Sequence, residues 1–215
     1  MDAYVFRECE WDGCQFRFPV EADPAESVRC PNCGSATYVA AEAHEGPALE
    51  PSDIARELLL VGLLDNLRSI HNVGSIFRTA DGAGVQHLYL AGITATPAHP
   101  KLNKAALGAQ ARVPWSHWPN APLIAESLKE QGYMLVALET GSVAQPLFTV
   151  PHSEFAGPVT LVAGNERAGI DPGVLAHCDR VLSLPMGGMK RSLNVAVAFG
   201  IASYYLRFGL RSGSA

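Results

Sequence analysis

Apolar segments of two kinds alternate along the chain from residue 56 onward. Continuous apolar runs such as ELLLVGLLD (57–65) and VTLVAG (159–164) are typical of strands that are covered on both faces of a sheet. Segments with helical spacing lie between such runs, for example IHNVGSIFRTADGAG (70–84), which ends in glycines. This alternation predicts an α/β fold built on a parallel sheet.

The whole pattern predicts six strands and four helices. We expect strands at 57–65, 85–92, 112–118, 133–140, 159–164 and 180–186, and helices at 70–84, 122–132, 171–178 and 192–208. A proline-rich loop follows the second strand and extends to about residue 112. The closing helix is apolar nearly all round, so it must be buried on more than one side. The sheet can cover one side, and a second subunit is a natural cover for another.

Polar and glycine residues collect directly after three of the predicted strands. The segments are ETG (139–141), GNERAG (164–169) and LPMGG (184–188). In open α/β sheets this carboxyl edge is where ligands bind. No G-x-G-x-x-G follows the first strand, which argues against the usual dinucleotide site and against a class I methyltransferase loop.

Four of the five cysteines lie in the first 33 residues, as two close pairs separated by fifteen residues. Cys9 and Cys14 form one pair, and Cys30 and Cys33 form the other within CPNCG. This arrangement predicts a structural zinc site in a small ribbon, with all four thiolates used and no open position for catalysis. A pair of disulfides and a metal-free ribbon are the alternatives. The fifth, Cys178, is isolated, and we expect a buried, inert thiol.

The chain divides into three segments by composition. Residues 1–45 form the ribbon, residues 46–55 are a linker rich in proline and acidic residues, and residues 56–215 form the α/β domain. Residues 1–53 carry 11 acidic and 3 basic side chains, a net charge of −8, whereas the rest of the chain has a net charge of +3. The ribbon should therefore be repelled by a polyanion such as RNA, whereas the mildly basic larger domain can bind one.

The chain as a whole reads as an ordinary globular protein, 48% hydrophobic and 17% charged. The first residues are acidic where a signal peptide needs a basic region and an apolar run. The long apolar stretch at 193–206 is interrupted by polar residues and is shorter than the roughly 20 residues of a membrane span. We therefore expect a cytoplasmic protein with no membrane segment.

Three ordered segments resemble the motifs of a known family. They are NLRSIHNVGSIFRTADGAGVQHLYL (66–90), LVAGNERAGI (161–170) and LPMGGMKRSLNVAVAFGIASYYL (184–206), and HPKLNKAALGAQARVPW (99–115) is similar to the stretch between the first two motifs. The family is SpoU/TrmH, the S-adenosylmethionine-dependent RNA ribose 2′-O-methyltransferases of the SPOUT superfamily. The resemblance covers about residues 56–208 and excludes the ribbon.

The resemblance implies a C-terminal trefoil knot, a homodimer with the active site near its interface, and S-adenosylmethionine bound in the knot. It implies these catalytic-site residues: Asn72, Arg78, Glu166, Ser192 and Asn194. It places the cofactor around a second set: Thr140, Gly141, Gly164, Leu184, Met186, Ser192 and Leu193. The sequence shows no departure from the family at these positions.

The chemistry of methyl transfer agrees with these residue types. A ribose hydroxyl must approach the methyl group in line, lose a proton and be stabilised as an alkoxide. Arg78 suits a role in gripping an adjacent phosphate and stabilising the oxyanion, because guanidinium does not deprotonate in proteins. Asn72 and Asn194 suit positioning, and Glu166 suits orienting Arg78 or a neighbouring amide, with a base role as the alternative.

Simpler interpretations exist for several of these residues. Asn72 and Ser192 also suit helix N-caps, and Glu166 suits the first turn of a helix. His71, Lys190 and Arg191 are either ordinary surface residues or RNA contacts.

At the level of the whole protein, the alternative to a methyltransferase of tRNA or rRNA is a non-catalytic RNA-binding or assembly protein. The acidic ribbon is expected to contact a protein, a partner subunit, or RNA through a few stacked groups.

Overall fold

The structure is a computed structural model that describes residues 4–22, 28–43, 58–141 and 144–209. It falls into two compact units, Met1–Ser52 and Asp53–Ala215. The predicted linker, residues 46–55, lies outside the described residues.

The small unit contains a three-stranded antiparallel sheet. Its strands are β1 (Tyr4–Cys9), β2 (Arg17–Glu21) and β3 (Thr37–Glu42). The strand order is β2-β1-β3, and a register shift between Phe6 and Arg7 interrupts the pairing of β1 with β3. Cys9 is the last residue of β1, Cys14 lies in the loop after it, and Cys30 and Cys33 lie in the loop before β3, so the sheet holds both pairs at one end.

The large unit alternates strands and helices as predicted. The strands are β4 (Leu60–Asp65), β5 (His87–Ala91), β6 (Trp115–Trp118), β7 (Met134–Leu138), β8 (Gln145–Pro146), β9 (Val159–Ala163) and β10 (Arg180–Ser183). The α-helices are α1 (Ile70–Ala83), α2 (Pro100–Ala106), α3 (Ala121–Glu130), α4 (Pro172–Leu175) and α5 (Val195–Phe208). Short 3-10 turns lie at Ala109–Ala111, Leu147–Thr149 and His152–Glu154.

The seven strands of the large unit form one parallel sheet in the order β6-β5-β4-β9-β7-β10-β8. The central strands β4 and β9 are buried along their whole length, as their continuous apolar sequences predict. One core cluster holds α1, α2 and α5 against the sheet, and a second cluster holds α3 and α4. The predicted α/β fold with a parallel sheet is confirmed.

The ends of α1 follow from its sequence. Ser69 caps the N-terminus by accepting a hydrogen bond from the Asn72 amide, so Asn72 is not the cap itself. Gly84 ends the helix at a φ of 66°, in the left-handed region that glycine enters without strain. Among the described residues, none of the helices has the length and hydrophobicity that crossing a membrane requires.

Two expectations about the helices of the large unit are wrong. The proline-rich stretch up to residue 112 is not a loop throughout, because α2 forms within it. Pro100 occupies the first turn of α2, and the His99 ring accepts a hydrogen bond from the Lys101 amide. The helix packs on α1 so closely that a Cβ added at Gly74 would lie 2.4 Å from the Cβ of Ala105. Tertiary packing therefore stabilises a helix too short to form alone.

The second correction concerns the start of the closing helix. It was predicted to begin at Ser192 with a serine cap, but α5 begins at Val195 and its cap is Asn194. The Asn194 side-chain oxygen accepts hydrogen bonds from the amides of Ala196 at 2.8 Å and Val197 at 3.4 Å. Ser192 and Leu193 consequently lie in the loop before the helix.

Candidate functional site

A cavity of about 400 Å³ opens at the carboxyl ends of β7, β9 and β10. Its volume lies in the range of small-molecule and cofactor sites, roughly 300–1,000 Å³. The wall consists of the three strand ends, the loops that follow them and the first turn of α5, and its residues are Leu138, Glu139, Thr140, Ala163, Gly164, Asn165, Glu166, Arg167, Gly169, Leu182, Ser183, Leu184, Met186, Ser192, Leu193, Asn194, Val195 and Ala198. The three polar segments ETG, GNERAG and LPMGG therefore meet at one place.

Most of the residues expected to hold a cofactor line this cavity. They are Thr140, Gly164, Leu184, Met186, Ser192 and Leu193. Gly141 follows Thr140 but is not among the lining residues of the described chain. At Gly164 the chain has no room for a side chain, because an added Cβ would lie 2.5 Å from backbone atoms of both Gly169 and Ile170.

Glu166 lies at the rim of the cavity and joins it to the start of α1. One carboxylate oxygen accepts a hydrogen bond from the Arg68 amide at 2.9 Å. The other accepts from the Ser69 amide at 3.0 Å and from the Asn72 side chain at 2.8 Å. Glu166 belongs to a loop rather than to the first turn of a helix, so its position is explained by these three bonds.

These hydrogen bonds keep Glu166 ionised. Partial burial raises the pKa of the carboxyl, but the bonds from Arg68, Asn72 and Ser69 outweigh burial and lower the pKa below its ordinary value. A carboxylate with both oxygens engaged and a lowered pKa is a poor proton acceptor. The geometry favours the orienting role for Glu166, and among the described residues Glu166 makes no hydrogen bond or ion pair with Arg78.

Asn72 connects Glu166 to the cap of α5. Its amide nitrogen donates to Glu166, and its amide oxygen accepts a 2.9 Å hydrogen bond from the Asn194 side chain. Asn194 uses its own oxygen to cap α5, so both ends of its amide are engaged. The three side chains thus form one line, Glu166–Asn72–Asn194, in which each amide orientation is fixed by its neighbour.

Arg78 stands apart from this line. It is exposed on α1, does not line the cavity, and makes no hydrogen bond or ion pair with any residue that the structure describes. Arg78 lies six positions after Asn72, which places the two side chains about 120° apart around the helix. His71, Lys190 and Arg191 are exposed and likewise outside the lining of the cavity.

A polar network around the buried Asp65 was not anticipated. The Asp65 carboxylate, only 1% exposed, accepts hydrogen bonds from the Asp171 amide at 2.7 Å and from the Asn66 side chain at 2.8 Å. Asn66 has a φ of 56°, and its side-chain oxygen accepts from the Ile93 amide. Burial raises the pKa of Asp65. The network ties the ends of β4 and β5 to the loop that precedes α4.

Asn165 extends this network to the loop that carries Glu166. Its side chain donates to the Asn66 carbonyl at 2.7 Å and accepts from the amides of Arg167 and Ala168 at 3.0 Å each. Its backbone forms two further hydrogen bonds with Gly169. Asn165 therefore fixes the turn that carries Glu166. The only indication of this role in the sequence was its position next to Glu166 in GNERAG.

Two charged lining residues were also missed, although both lie inside segments that the sequence singled out. Glu139, in ETG, accepts hydrogen bonds from the amides of Thr140 at 2.8 Å and Ile170 at 3.1 Å, which clamps two loops of the cavity together. Arg167, in GNERAG, contributes a cation to the lining.

The four N-terminal cysteines form one cluster in the small unit. Their sulfur atoms all lie within 4.8 Å of one another, with Cys9 to Cys33 at 3.5 Å and Cys14 to Cys30 at 3.8 Å. Thiolates at about 2.3 Å from a tetrahedral zinc ion are separated by similar distances, so the cluster fits that ion. Hydrogen bonds from Ser35 lower the pKa of Cys33 to about 6, whereas burial raises the pKa of Cys9 to about 12.

Cys178 is half-buried rather than fully buried, which corrects the prediction for this thiol. Its sulfur donates to the Val174 carbonyl, and burial raises its pKa to about 12. The raised pKa fits the expected lack of reactivity.

Comparison with known proteins identifies the family of the large unit. The family model described as the SpoU rRNA Methylase family matches residues 59–204. The chain belongs to this family. The match leaves the cysteine cluster outside it, as the sequence resemblance predicted, and it ends four residues before the end of α5.

Two curated relatives and one solved structure illustrate the similarity. The 23S rRNA (guanosine-2′-O-)-methyltransferase RlmB of Pectobacterium atrosepticum is 29% identical over 171 residues, 77% of this chain and 68% of that protein. The 23S rRNA (guanosine(2553)-2′-O)-methyltransferase RlmP of Bacillus subtilis is 36% identical over 155 residues, 71% of this chain and 58% of that protein. The SpoU-family chain thus spans little more than half of the second relative.

The solved structure is an AdoMet-bound rRNA methyltransferase from Sinorhizobium meliloti. It superposes with a TM-score of 0.63 at 28% identity, covering 68% of this chain and 55% of that one. The fold of the large unit is therefore that of a SpoU methyltransferase.

Proposed function

We propose that this protein transfers a methyl group from S-adenosylmethionine to a ribose 2′-hydroxyl of rRNA or tRNA. The observation that carries the proposal is the Glu166–Asn72–Asn194 line at the rim of the cavity, because it assembles three separate family motifs beside one cofactor-sized space. The names of the two curated relatives, both 23S rRNA guanosine 2′-O-methyltransferases, support this activity.

The cavity is the proposed cofactor site. Its volume suits a ligand of this size, and its lining includes Gly164, Thr140 and Met186. The AdoMet-bound neighbour from S. meliloti supports the same assignment. When bound, S-adenosylmethionine supplies an activated methyl group, and this chain holds it beside the polar line. The resemblance to the family adds a trefoil knot to this proposal.

The polar line positions the substrate. Glu166 fixes the orientation of the Asn72 amide, and Asn72 in turn fixes Asn194, so the amide groups are preorganised before RNA arrives. Ser192 lies on the lining and adds a hydroxyl beside them. Because both oxygens of Glu166 already accept hydrogen bonds, the ribose proton leaves to bulk water in this proposal, directly or by way of the adjacent RNA phosphate.

Arg78 completes the site from a second subunit. The cavity lining does not include Arg78, and α5 exposes apolar side chains at Val197 (51%) and Tyr204 (48%), seven residues apart and therefore on one face. A homodimer built on this face buries that apolar surface and brings the Arg78 of one copy toward the cavity of the other. There the guanidinium grips a phosphate next to the target ribose and stabilises the alkoxide.

The cysteine cluster holds a structural zinc ion in the same proposal. The sulfur spacing supports a tetrahedral site with four protein ligands, Cys9, Cys14, Cys30 and Cys33, which leaves no position for catalysis. As an enzyme of RNA modification, the protein is expected to work in the cytoplasm.

Nucleoside mass spectrometry of a strain lacking this protein tests the function. We expect one 2′-O-methyl nucleoside to be missing from rRNA or tRNA and to return with the wild-type chain but not with Asn194→Ala. An unchanged set of 2′-O-methyl nucleosides would favour the alternative, an RNA-binding or assembly protein without turnover. Restoration by Asn194→Ala would also contradict the proposal.

A further inference from the structure

The small unit presents an aromatic face on its antiparallel sheet. Tyr4, Phe6 and Glu8 are alternate residues of β1, so their side chains lie on the same face of the sheet. Tyr38 of β3 is paired with Glu8 and therefore lies on that face too. Tyr4 and Tyr38 are 46% exposed and Phe6 is 37% exposed. Three exposed rings on one side of so small a sheet form an apolar patch of the kind that marks an interaction surface.

Carboxylates lie between these rings. Glu21, opposite Tyr4, accepts a hydrogen bond from the Tyr4 hydroxyl at 3.1 Å. Glu8 lies opposite Arg17 and Tyr38, with its carboxylate 3.5 Å from the Arg17 guanidinium, and its hydrogen bond with Tyr38 raises the pKa of that phenol. The acids are thus held in place beside the aromatic rings.

Exposed aromatic rings next to carboxylates favour the binding of cationic groups. Aromatic ring faces attract guanidinium and ammonium groups, and Glu21 can pair with the same groups, whereas Glu8 already pairs with Arg17 on this face. RNA phosphates are repelled, because residues 1–53 carry a net charge of −8 and four zinc-bound thiolates would add to it. Base stacking on the rings would bring the phosphates beside Glu8 and Glu21.

We propose that the aromatic face binds an arginine- and lysine-rich segment of another protein. The inference goes beyond methyl transfer and does not depend on it, since the cysteine-bearing unit lies outside the region that matches the family. Charge complementarity identifies the partner's chemistry, and the exposed rings provide the contact area.

Peptide binding to the full-length, zinc-loaded chain tests the proposal. The probe is a short fluorescein-labelled peptide of alternating arginine and serine, measured by fluorescence anisotropy and compared with a single-stranded RNA oligonucleotide. We expect the peptide to bind and Tyr38→Ala to weaken it about tenfold, which corresponds to about 1.4 kcal/mol. Tyr38→Phe keeps the ring and retains most of the binding.

A charge-matched pair separates a specific face from general attraction. Glu21 is paired with Tyr4 and lies on the aromatic face. Glu42 is paired with Val5, which points to the other face, so Glu42→Lys makes the same change of charge away from the aromatic rings. We expect Glu21→Lys to weaken peptide binding about tenfold and Glu42→Lys to weaken it much less. Hydrogen-exchange protection of the β1–β3 amides identifies variants that remain folded.

Four results would overturn the proposal: no binding of the peptide, equal losses in Glu21→Lys and Glu42→Lys, weaker RNA binding in Tyr38→Ala, or loss of self-association in Tyr38→Ala by sedimentation. The last two would assign the face to RNA or to a second copy of this chain. The first three results do not bear on the methyltransferase site, whose activity is measured separately, whereas loss of self-association would also test the dimer proposed on α5.

Discussion

Asn72 and Glu166 are 94 residues apart in sequence and are joined by a 2.8 Å hydrogen bond between the side-chain amide and the carboxylate. The bond links the first turn of α1 to the loop after β9, and it sets which way the Asn72 amide faces. Since the Asn72 oxygen then accepts from Asn194, the bond fixes the polar groups along the rim of the cavity. The proposed catalytic geometry therefore depends on it.

Glu166→Gln should lower both activity and stability at neutral pH, because an amide nitrogen replaces one acceptor oxygen. The lowered pKa of Glu166 means that the carboxylate stabilises the fold fully above its ordinary pKa of 4.5, and this contribution is lost as the pH falls through the lowered value. Urea unfolding should therefore show a gap between parent and variant that narrows below pH 4.5. Glu126→Gln, an exposed site on α3, should show no such narrowing. A gap that widens in acid would contradict the hydrogen-bonding explanation.

Asn194 has two roles that substitution can separate. Asn194→Ala removes the cap of α5, which typically costs about 1 kcal/mol, together with the bond to Asn72. Asn194→Asp keeps a capping oxygen but cannot donate to Asn72 and brings a carboxylate toward Glu166. We expect Asn194→Ala to lower the melting temperature by a few degrees, Asn194→Asp to melt nearly as the parent does, and both to lose methyl transfer. Activity close to the parent's in Asn194→Asp would remove Asn194 from the site.

Arg78→Ala should abolish methyl transfer while S-adenosylmethionine affinity, measured by calorimetry, stays within about threefold of the parent, because Arg78 does not line the cavity. Arg78→Lys should recover little, since an ammonium group does not reproduce bidentate phosphate binding. Loss of cofactor binding in Arg78→Ala would show that the residue is misplaced.

Mixed dimers test whether Arg78 acts across the subunit interface. An Arg78→Ala subunit paired with an Asn194→Ala subunit retains one intact cavity if Arg78 comes from the partner, so activity should return to about half of the parent's. If Arg78 acts within its own subunit, both cavities are defective and the mixed dimer is inactive. A monomeric protein in sedimentation would also contradict the dimer.

The two glycines Gly164 and Gly187 should respond differently to alanine. A Cβ at Gly164 meets backbone atoms at 2.5 Å, so Gly164→Ala must displace the loop that carries Glu166 and reduce cofactor binding. A Cβ added at Gly187 would meet no atom within 4 Å apart from the adjoining residues of the chain, so the Gly187→Ala variant should bind the cofactor nearly as the parent does. Equal tolerance at both positions would contradict the close packing at Gly164.

Metal removal should affect the small unit alone. Because zinc binding supplies folding free energy in small ribbons, a chelator should remove one zinc and abolish hydrogen-exchange protection of the β1–β3 amides. The thermal transition of the large unit should remain. Cys33→Ser should reproduce the effect, and Cys178→Ser should keep the zinc. Unchanged protection in metal-free protein would favour a metal-free ribbon.

The sequence predicted the elements whose signals are local. Helix α1 has apolar spacing along its length and Gly84 at its end, and β4 and β9 have continuous apolar runs, so their existence and type were clear. Helix α2 was missed because it depends on close packing against Gly74. The start of α5 was misplaced because Ser192 and Asn194 both suit a cap, and only the three-dimensional path of the loop selects Asn194.

The site was predictable in part for the same reason. Family motifs identified Asn72, Glu166 and Asn194, but not that the three would form one hydrogen-bonded line. The Asp65–Asp171 bond spans 106 residues, and no periodicity or spacing signals a contact at such a distance. Arg78 was identified by its motif alone, and only the structure shows that it lies outside the lining of the cavity.

Transfer of a trideuterated methyl group from labelled S-adenosylmethionine to rRNA or tRNA in the purified system tests the proposed chemistry most directly. After digestion, mass spectrometry should find the label on a ribose 2′-oxygen at a position resistant to alkaline hydrolysis, and Asn194→Ala should give none. Label on a base, or no label in any RNA while the cofactor is bound, would contradict the assignment of this cavity to ribose methylation.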